Sequence, residues 1–159
     1  MPTVDSCDDA RSLWDENYRG LILYARQWVG TEAEDAVQEA FLKLLAEPQL
    51  TSPKAWLYRV VRNTALDRKR RERRFRTPPL ENWFETLPET APETTALDGE
   101  ELTQALKHLK PVIREIIVSK IWGGLNYREI AELTKRPVSS VHLDYQRGIE
   151  QLRKLLDTP

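Results

Sequence analysis

Ten lysine and arginine side chains lie between Lys54 and Arg76, against only Asp67 and Glu72. A row of guanidinium and ammonium groups at this density makes no bonds. It neutralises other charges, and a row of phosphates is the partner such a row fits. On a 3.6-residue wheel Arg59, Arg62, Leu66, Lys69, Arg70 and Arg73 fall on one side, and Leu57, Val60, Val61 and Thr64 fall on the other. A solvated helix face usually mixes signs. Here the positive charges lie on one side and thicken toward the C-terminal end of the stretch.

The rest of the sequence offers no competing chemistry. It contains no Gly-rich phosphate loop, no HExxH and no GxSxG. His108 and His142 each lie in a helical stretch without a sequence-evident nucleophile beside them. The expectation is therefore a non-enzymatic protein with no catalytic residues and no cofactor. With Cys7 as the single cysteine there is no intramolecular disulfide framework, and two histidines do not complete a Cys/His zinc site, so no metal is expected. The acidic N-terminus lacks the apolar region of a secretory signal. No stretch approaches the roughly 20 apolar residues of a membrane span. With a mean hydropathy of -0.57, the chain reads as soluble and cytoplasmic, without a membrane span.

The formal charge of -1 conceals segregation along the 159 residues. Residues 1–53 carry four basic against ten acidic side chains, and residues 77–101 carry seven acids and no Lys or Arg. Residues 102–159 turn positive again, ten against six. Two cationic blocks joined by an acidic spacer suggest two separate contacts with a polyanion.

The elements that would position these blocks are helical throughout. Residues 10–29 set Leu13, Leu21, Tyr24, Ala25 and Trp28 at helical intervals, with Gly20 a weak point and Gly30 a stop. Thr31 and Glu34 have capping-box spacing and predict the start of a second helix. Its buried stripe is Ala36, Val37, Ala40, Phe41, Leu44 and Leu45, which leaves Asp35, Gln38, Glu39 and Leu42 at the edge or outside. Ser52-Pro53 opens the basic helix, whose apolar side packs on the first two. Asn63 and Asp67, one turn apart on it, are either a structural hydrogen-bonded pair or an aid in orienting the basic side chains. Residues 77–97 hold four prolines and no strong periodicity, the pattern of an extended linker. Trp83, Phe84 and Leu87 within it are suited to docking on a neighbouring surface.

Four more helical patterns follow. Two of them, over 98–122, are broken before Pro111, and Gly123-Gly124 ends the second. Asn126 caps YREIAELT, with Glu129 at the capping-box position. After the turn at Lys135-Arg136, Pro137 opens the last helix, where Val141, Tyr145, Ile149, Leu152 and Leu156 keep core spacing. Two helices across a tight turn form either a plain αα-hairpin or a helix-turn-helix. The short turn and the spacing of Ile130-Ala131 to Val141 favour the latter. Its outward positions, Ser139, Ser140, His142, Leu143, Gln146 and Arg147, would then face base edges in the major groove. The expected fold is all-α: two small helical domains joined by a flexible acidic linker, the C-terminal one a helix-turn-helix, with bounds 8–76, 77–97 and 98–157.

Three segments, EDAVQEAFLKLL at 34–45, AWLYRVVRNTALDRKRR at 55–71 and LNYREIAELTKRPVSSV at 125–141, occur in an order and at gaps that resemble the extracytoplasmic-function, or group IV, sigma factors of bacterial RNA polymerase. The resemblance covers nearly all of residues 10–156. It implies a subunit that binds core RNA polymerase, recognises a promoter, helps melt it and so directs initiation. Asp35, Gln38, Glu39 and Leu42 match the helix that grips the clamp of the polymerase largest subunit. Gln49, Leu50, Thr51 and Ser52 match the loop that receives a base flipped from the -10 element. Trp56 matches a position that supports the fold. Arg59, Arg62, Asn63, Arg68, Lys69, Arg70 and Arg71 lie where the family meets -10 DNA, and the outward residues of 137–147 match its -35 reader. The implied partners are core polymerase and promoter DNA, with room for an anti-sigma factor. The last helix departs from the family's Gly-Thr-Val run and the basic residues after it. Here Ser139-Ser140-Val141 is followed by His142, Leu143 and Asp144, and Gly148 stands where alanine is frequent. Two other readings remain open at this point: a stand-alone helix-turn-helix regulator, and a sigma look-alike that sequesters an anti-sigma factor.

Overall fold

The computed structural model describes residues 7–47, 50–72 and 99–157. They form seven α-helices, with no strand among the described residues, in two compact units that divide between Leu80 and Glu81. The expected linker, residues 77–97, and with it Trp83, Phe84 and Leu87, lies outside the described residues, as does the end of the basic stretch from Arg73 to Arg76.

The first unit holds α1 (Cys7–Ala25), α2 (Ala33–Leu45) and α3 (Pro53–Glu72), each packed on the other two. Leu21, Tyr24, Ala36, Val37, Ala40, Leu44, Leu57, Tyr58, Val61 and Ala65 form its buried centre. Fully burying one such aliphatic side chain contributes about 1.5–3 kcal/mol, and this is what holds three modest helices together. α1 ends five residues short of Gly30. After Ala25 the backbone tightens to i→i−3 bonds at Gln27 and Trp28, and the buried Gln27 side chain donates to the Tyr24 carbonyl at 3.0 Å. That carbonyl is lost to helix continuation. The Thr31–Glu34 capping box does not form. The residue before α2 is Glu32, with helical φ -83 and ψ 0 and no side-chain cap, whereas a capping hydroxyl needs extended backbone. Glu34 and Asp35 in the first turn favour the positive helix end instead.

In α3 the buried positions are Pro53, Leu57, Tyr58, Val61 and Ala65, with Val60 and Thr64 half-buried. The apolar side is thus rotated slightly toward Tyr58 relative to the sequence wheel. Tyr24 and Tyr58 meet at 5.0 Å between ring centroids.

The second unit holds α4 (Gly99–His108), α5 (Pro111–Ile121), α6 (Tyr127–Thr134) and α7 (Val138–Asp157). α7 packs on the other three. The Asn126–Glu129 capping box is complete: the Glu129 amide donates to Asn126 Oδ1 at 2.8 Å, and the Asn126 amide donates to Glu129 Oε1 at 2.9 Å. α6 ends on Lys135 in left-handed backbone, φ 57, and the Arg136 amide reaches back to Ala131 O at 3.0 Å. This closes the turn in the manner usually assigned to glycine. Two helices across a turn this tight, braced by α5, are a helix-turn-helix.

The inward stripe of α7 differs from the one the sequence predicts. It runs Val141, Asp144, Gly148, Leu152, while Tyr145, Ile149 and Leu156 are only half-buried. Gly148 is the reason. A Cβ there would lie 2.7 Å from Ile113 Cγ2 and 2.9 Å from Ile117 Cδ1, so the missing side chain lets α7 approach α5 along this line.

Candidate nucleic-acid interface

α3 presents its cationic residues unequally. Arg59, Asn63, Lys69, Arg70 and Arg71 are exposed. Arg71 pairs with Asp67 at 3.2 Å, but both side chains are well solvated and the pair leaves Arg71 available. Asp67 therefore faces Arg71 rather than standing apart with Asn63. Arg62 is half-buried, its guanidinium 6.0 Å from the centre of the Trp28 ring. Arg68 is set inward. It donates to Glu39 Oε2 at 3.1 Å and to the carbonyl of Glu32 at 3.3 Å, with a quarter of its side chain exposed. Six of the seven residues expected on this face thus remain presented, and Arg68 bridges to α2.

Ahead of α3, Leu50 is half-buried while Thr51 and Ser52 are exposed; Gln49 of the expected flipped-base loop lies outside the described residues. Trp56 is half-buried.

The outer side of α2 carries Asp35, Gln38 and Leu42, all exposed, with Leu42 69% accessible. Leu45, expected in the buried stripe, is 54% exposed and extends this side by one turn. Glu39 is shared between Arg68 and Lys43, the latter at 3.6 Å. An acidic helix side carrying two uncovered leucines suits a protein partner.

In the second unit the first turns of α7 expose Ser139, His142, Leu143, Gln146 and Arg147, with Ser140 half-buried. An imidazole, an amide and an apolar side chain at these positions can meet base edges and thymine methyl groups. Sequence reasoning missed the residues that hold this surface. Tyr127, at the start of α6, stands edge-on to His142 at 4.8 Å and to Tyr145 at 5.7 Å, and Lys120 Nζ lies 4.6 Å from its ring centre. Asp144 turns inward to Arg136 Nη1 at 2.5 Å and reaches Arg147 Nη1 at 3.7 Å. The i, i+3 spacing of Asp144 and Arg147 is the one sequence signal that could have disclosed the second pair.

No group of three or more His, Cys, Asp or Glu side chains able to hold a metal occurs among the described residues. No helix among them is long and apolar enough to cross a membrane.

Comparison with known proteins divides the chain at the same place. The family described as Sigma-70 region 2 matches residues 13–75, and that described as Sigma-70, region 4 matches residues 99–152. The chain is 32% identical to the ECF RNA polymerase sigma factor SigE of Mycolicibacterium smegmatis, over 98% of its own length and 62% of that protein's. It is also 32% identical to the ECF RNA polymerase sigma factor SigL of Mycobacterium tuberculosis, over 76% of this chain and 73% of that one. Among solved structures, the sigma factor RpoE from Bartonella quintana, crystallised with the anti-sigma factor NepR, has the same fold. Its TM-score is 0.73 at 21% identity, over 96% of this chain and 99% of that one.

Proposed function

The chain belongs to the extracytoplasmic-function family of RNA polymerase sigma factors, and from that membership we propose that it binds core RNA polymerase, selects promoters at two elements and helps open them. The division of labour follows the charge. The outer side of α2, with Asp35, Gln38 and Leu42, docks on the polymerase clamp. The exposed row Arg59, Arg62, Asn63, Lys69, Arg70 and Arg71 engages -10 DNA, with Gln49 to Ser52 receiving an unstacked base. The α7 positions Ser139, Ser140, His142, Leu143, Gln146 and Arg147 face the -35 element. Phosphate contacts supply most of the affinity and make it salt-dependent, while base contacts supply choice. In this reading, bounds of 8–76 and 98–157 enclose the two binding domains, 77–97 tethers them, and the chain works in the cytoplasm. It catalyses no reaction itself, since bond formation belongs to the polymerase. An anti-sigma factor is proposed as a further partner; the RpoE chain that shares the fold was crystallised with one.

One observation carries this reading: the first unit sets an acidic, leucine-bearing helix side and a one-sided cationic helix on adjacent elements of a single three-helix body. A regulator that used only the helix-turn-helix would have no need of that body. The test is transcription from promoter-bearing templates with purified core polymerase. The expected result is a promoter-specific transcript that depends on this chain and is lost with Asp35→Lys. A chain that neither joins core polymerase nor yields such a transcript overturns the proposal.

A further inference from the structure

We infer that Asp144 attenuates the DNA affinity of the second unit by holding two arginines at the edge of the expected recognition helix away from phosphates. The inference rests on the -35 role proposed above for α7, and it adds a residue to which that reading gave no part. Asp144 occupies the inward stripe with Val141, Gly148 and Leu152, and only 9% of it is exposed. Its two carboxylate oxygens face two guanidinium groups from different elements. One is Arg136 in the turn, at 2.5 Å, and the other is Arg147 on the next turn of α7, at 3.7 Å.

Turn and early recognition helix are where a helix-turn-helix meets the backbone and base edges of a duplex. From Lys135 to Arg147 the side chains bear three positive charges and one negative. A phosphate that recruits Arg136 must either draw it from a buried carboxylate or come to rest close to that carboxylate. Both weaken the contact, because a charge-assisted pair in a poorly hydrated position is costly to break. Arg147 is different. It is 61% exposed and its separation from Asp144 is long, so water screens the pair and the capture is partial. Arg136 is therefore the principal captive. An acid placed here lowers the number of phosphates the unit can neutralise without altering the outward side chains that read bases, so sequence choice is retained while non-specific affinity falls.

The experiment measures binding of the full chain, wild type and Asp144→Asn, to a -35-bearing duplex and to a scrambled duplex across a salt series. Asparagine keeps the volume of Asp144 but removes the charge that faces Arg136. The expected result is binding tighter by about three- to tenfold near physiological salt. The slope of log K against log salt should steepen by about 0.9–1.8, the signature of one or two additional phosphates, on both duplexes alike. Unchanged or weaker binding with an unchanged slope overturns the inference and makes Asp144 a brace for the turn. Arg136→Gln gives a second reading that does not depend on how Asp144→Asn folds. A captive Arg136 contributes nothing to the slope, so the slope should stay within about 0.3 of wild type. A fall of about 0.9 means Arg136 already meets a phosphate and overturns the inference. Failure of the wild type to initiate transcription with core polymerase counts against the -35 reading itself and is separate from both results.

Discussion

Arg68 Nη2 lies 3.1 Å from Glu39 Oε2, and the bond joins the cationic helix α3 to α2, the helix proposed to dock on polymerase. It divides the basic run into two kinds of residue. Arg70 and its neighbours are solvated and cost the fold nothing to remove. Arg68 also donates to the Glu32 carbonyl, so it ties α3 to the residue just before α2 as well as to Glu39. Arg68→Ala is expected to lower the stability of the first unit by about 1 kcal/mol, discounted because Glu39 is 42% exposed. Arg70→Ala should leave stability within about 0.5 kcal/mol while weakening DNA binding. Urea unfolding of both variants, with Glu39→Gln added to complete a double-mutant cycle, gives the check. A coupling energy near zero between Arg68 and Glu39 contradicts the brace.

Leu42 and Leu45 stand open on the outer side of α2. Exposed leucines contribute little to folding, but two of them uncovered on one helix side gain from burial against a protein partner. Leu42→Asp is expected to leave the unfolding midpoint nearly unchanged and to weaken association with core polymerase by at least about tenfold, equivalent to about 1.4 kcal/mol. Co-elution with core enzyme on a sizing column measures it. Retained co-elution would assign the leucines to some other surface.

Much of this architecture could be read from residue spacing, and the failures have local causes. The α6 capping box was legible because Asn126 and Glu129 satisfy each other within four residues. The Thr31–Glu34 pair has the same letters but meets helical backbone at Glu32, which a pattern of side chains does not reveal. The inward stripe of α7 was displaced because two of its members do not look like core residues: Asp144 is charged and Gly148 has no side chain. Arg68 looked like its neighbours because its partner Glu39 is 29 residues away in sequence. Tyr127, which aligns His142 and Lys120, carried no sequence signal of that role.

Gly148 sets how closely α7 approaches α5. In an exposed helix interior, replacing glycine by alanine stabilises by about 0.5–1 kcal/mol. Here the added methyl must displace branched side chains on Ile113 and Ile117 at 2.7–2.9 Å, and overpacking of a filled core costs about 1–3 kcal/mol. The second effect is larger, so Gly148→Ala should lower the urea midpoint of the second unit without changing its m-value. A raised midpoint would mean that the α5–α7 contact yields without cost.

Tyr58 is fully buried against Tyr24, and its hydroxyl has no hydrogen-bond partner among the described residues. Burial alone raises the phenol well above its ordinary value of 10.0, because the phenolate would have to sit where water cannot reach it. The sign of the pH effect follows. The folded chain holds this proton more tightly than the unfolded chain does, so the contribution is fully present below pH 10 and declines as pH rises past it. Tyr58→Phe removes both the buried hydroxyl and the titration. At neutral pH it should be neutral or stabilising by up to about 1 kcal/mol, since no bond is lost and an unpaired polar group is removed. Above about pH 10 its advantage over wild type should widen, because only the wild type then has a phenol to ionise on unfolding. Urea midpoints of the two proteins at about pH 8 and about pH 11 decide the matter. A Tyr58→Phe variant clearly less stable at pH 8 would show that the hydroxyl is hydrogen-bonded after all, and a difference that stays constant to the higher pH would contradict the raised phenol.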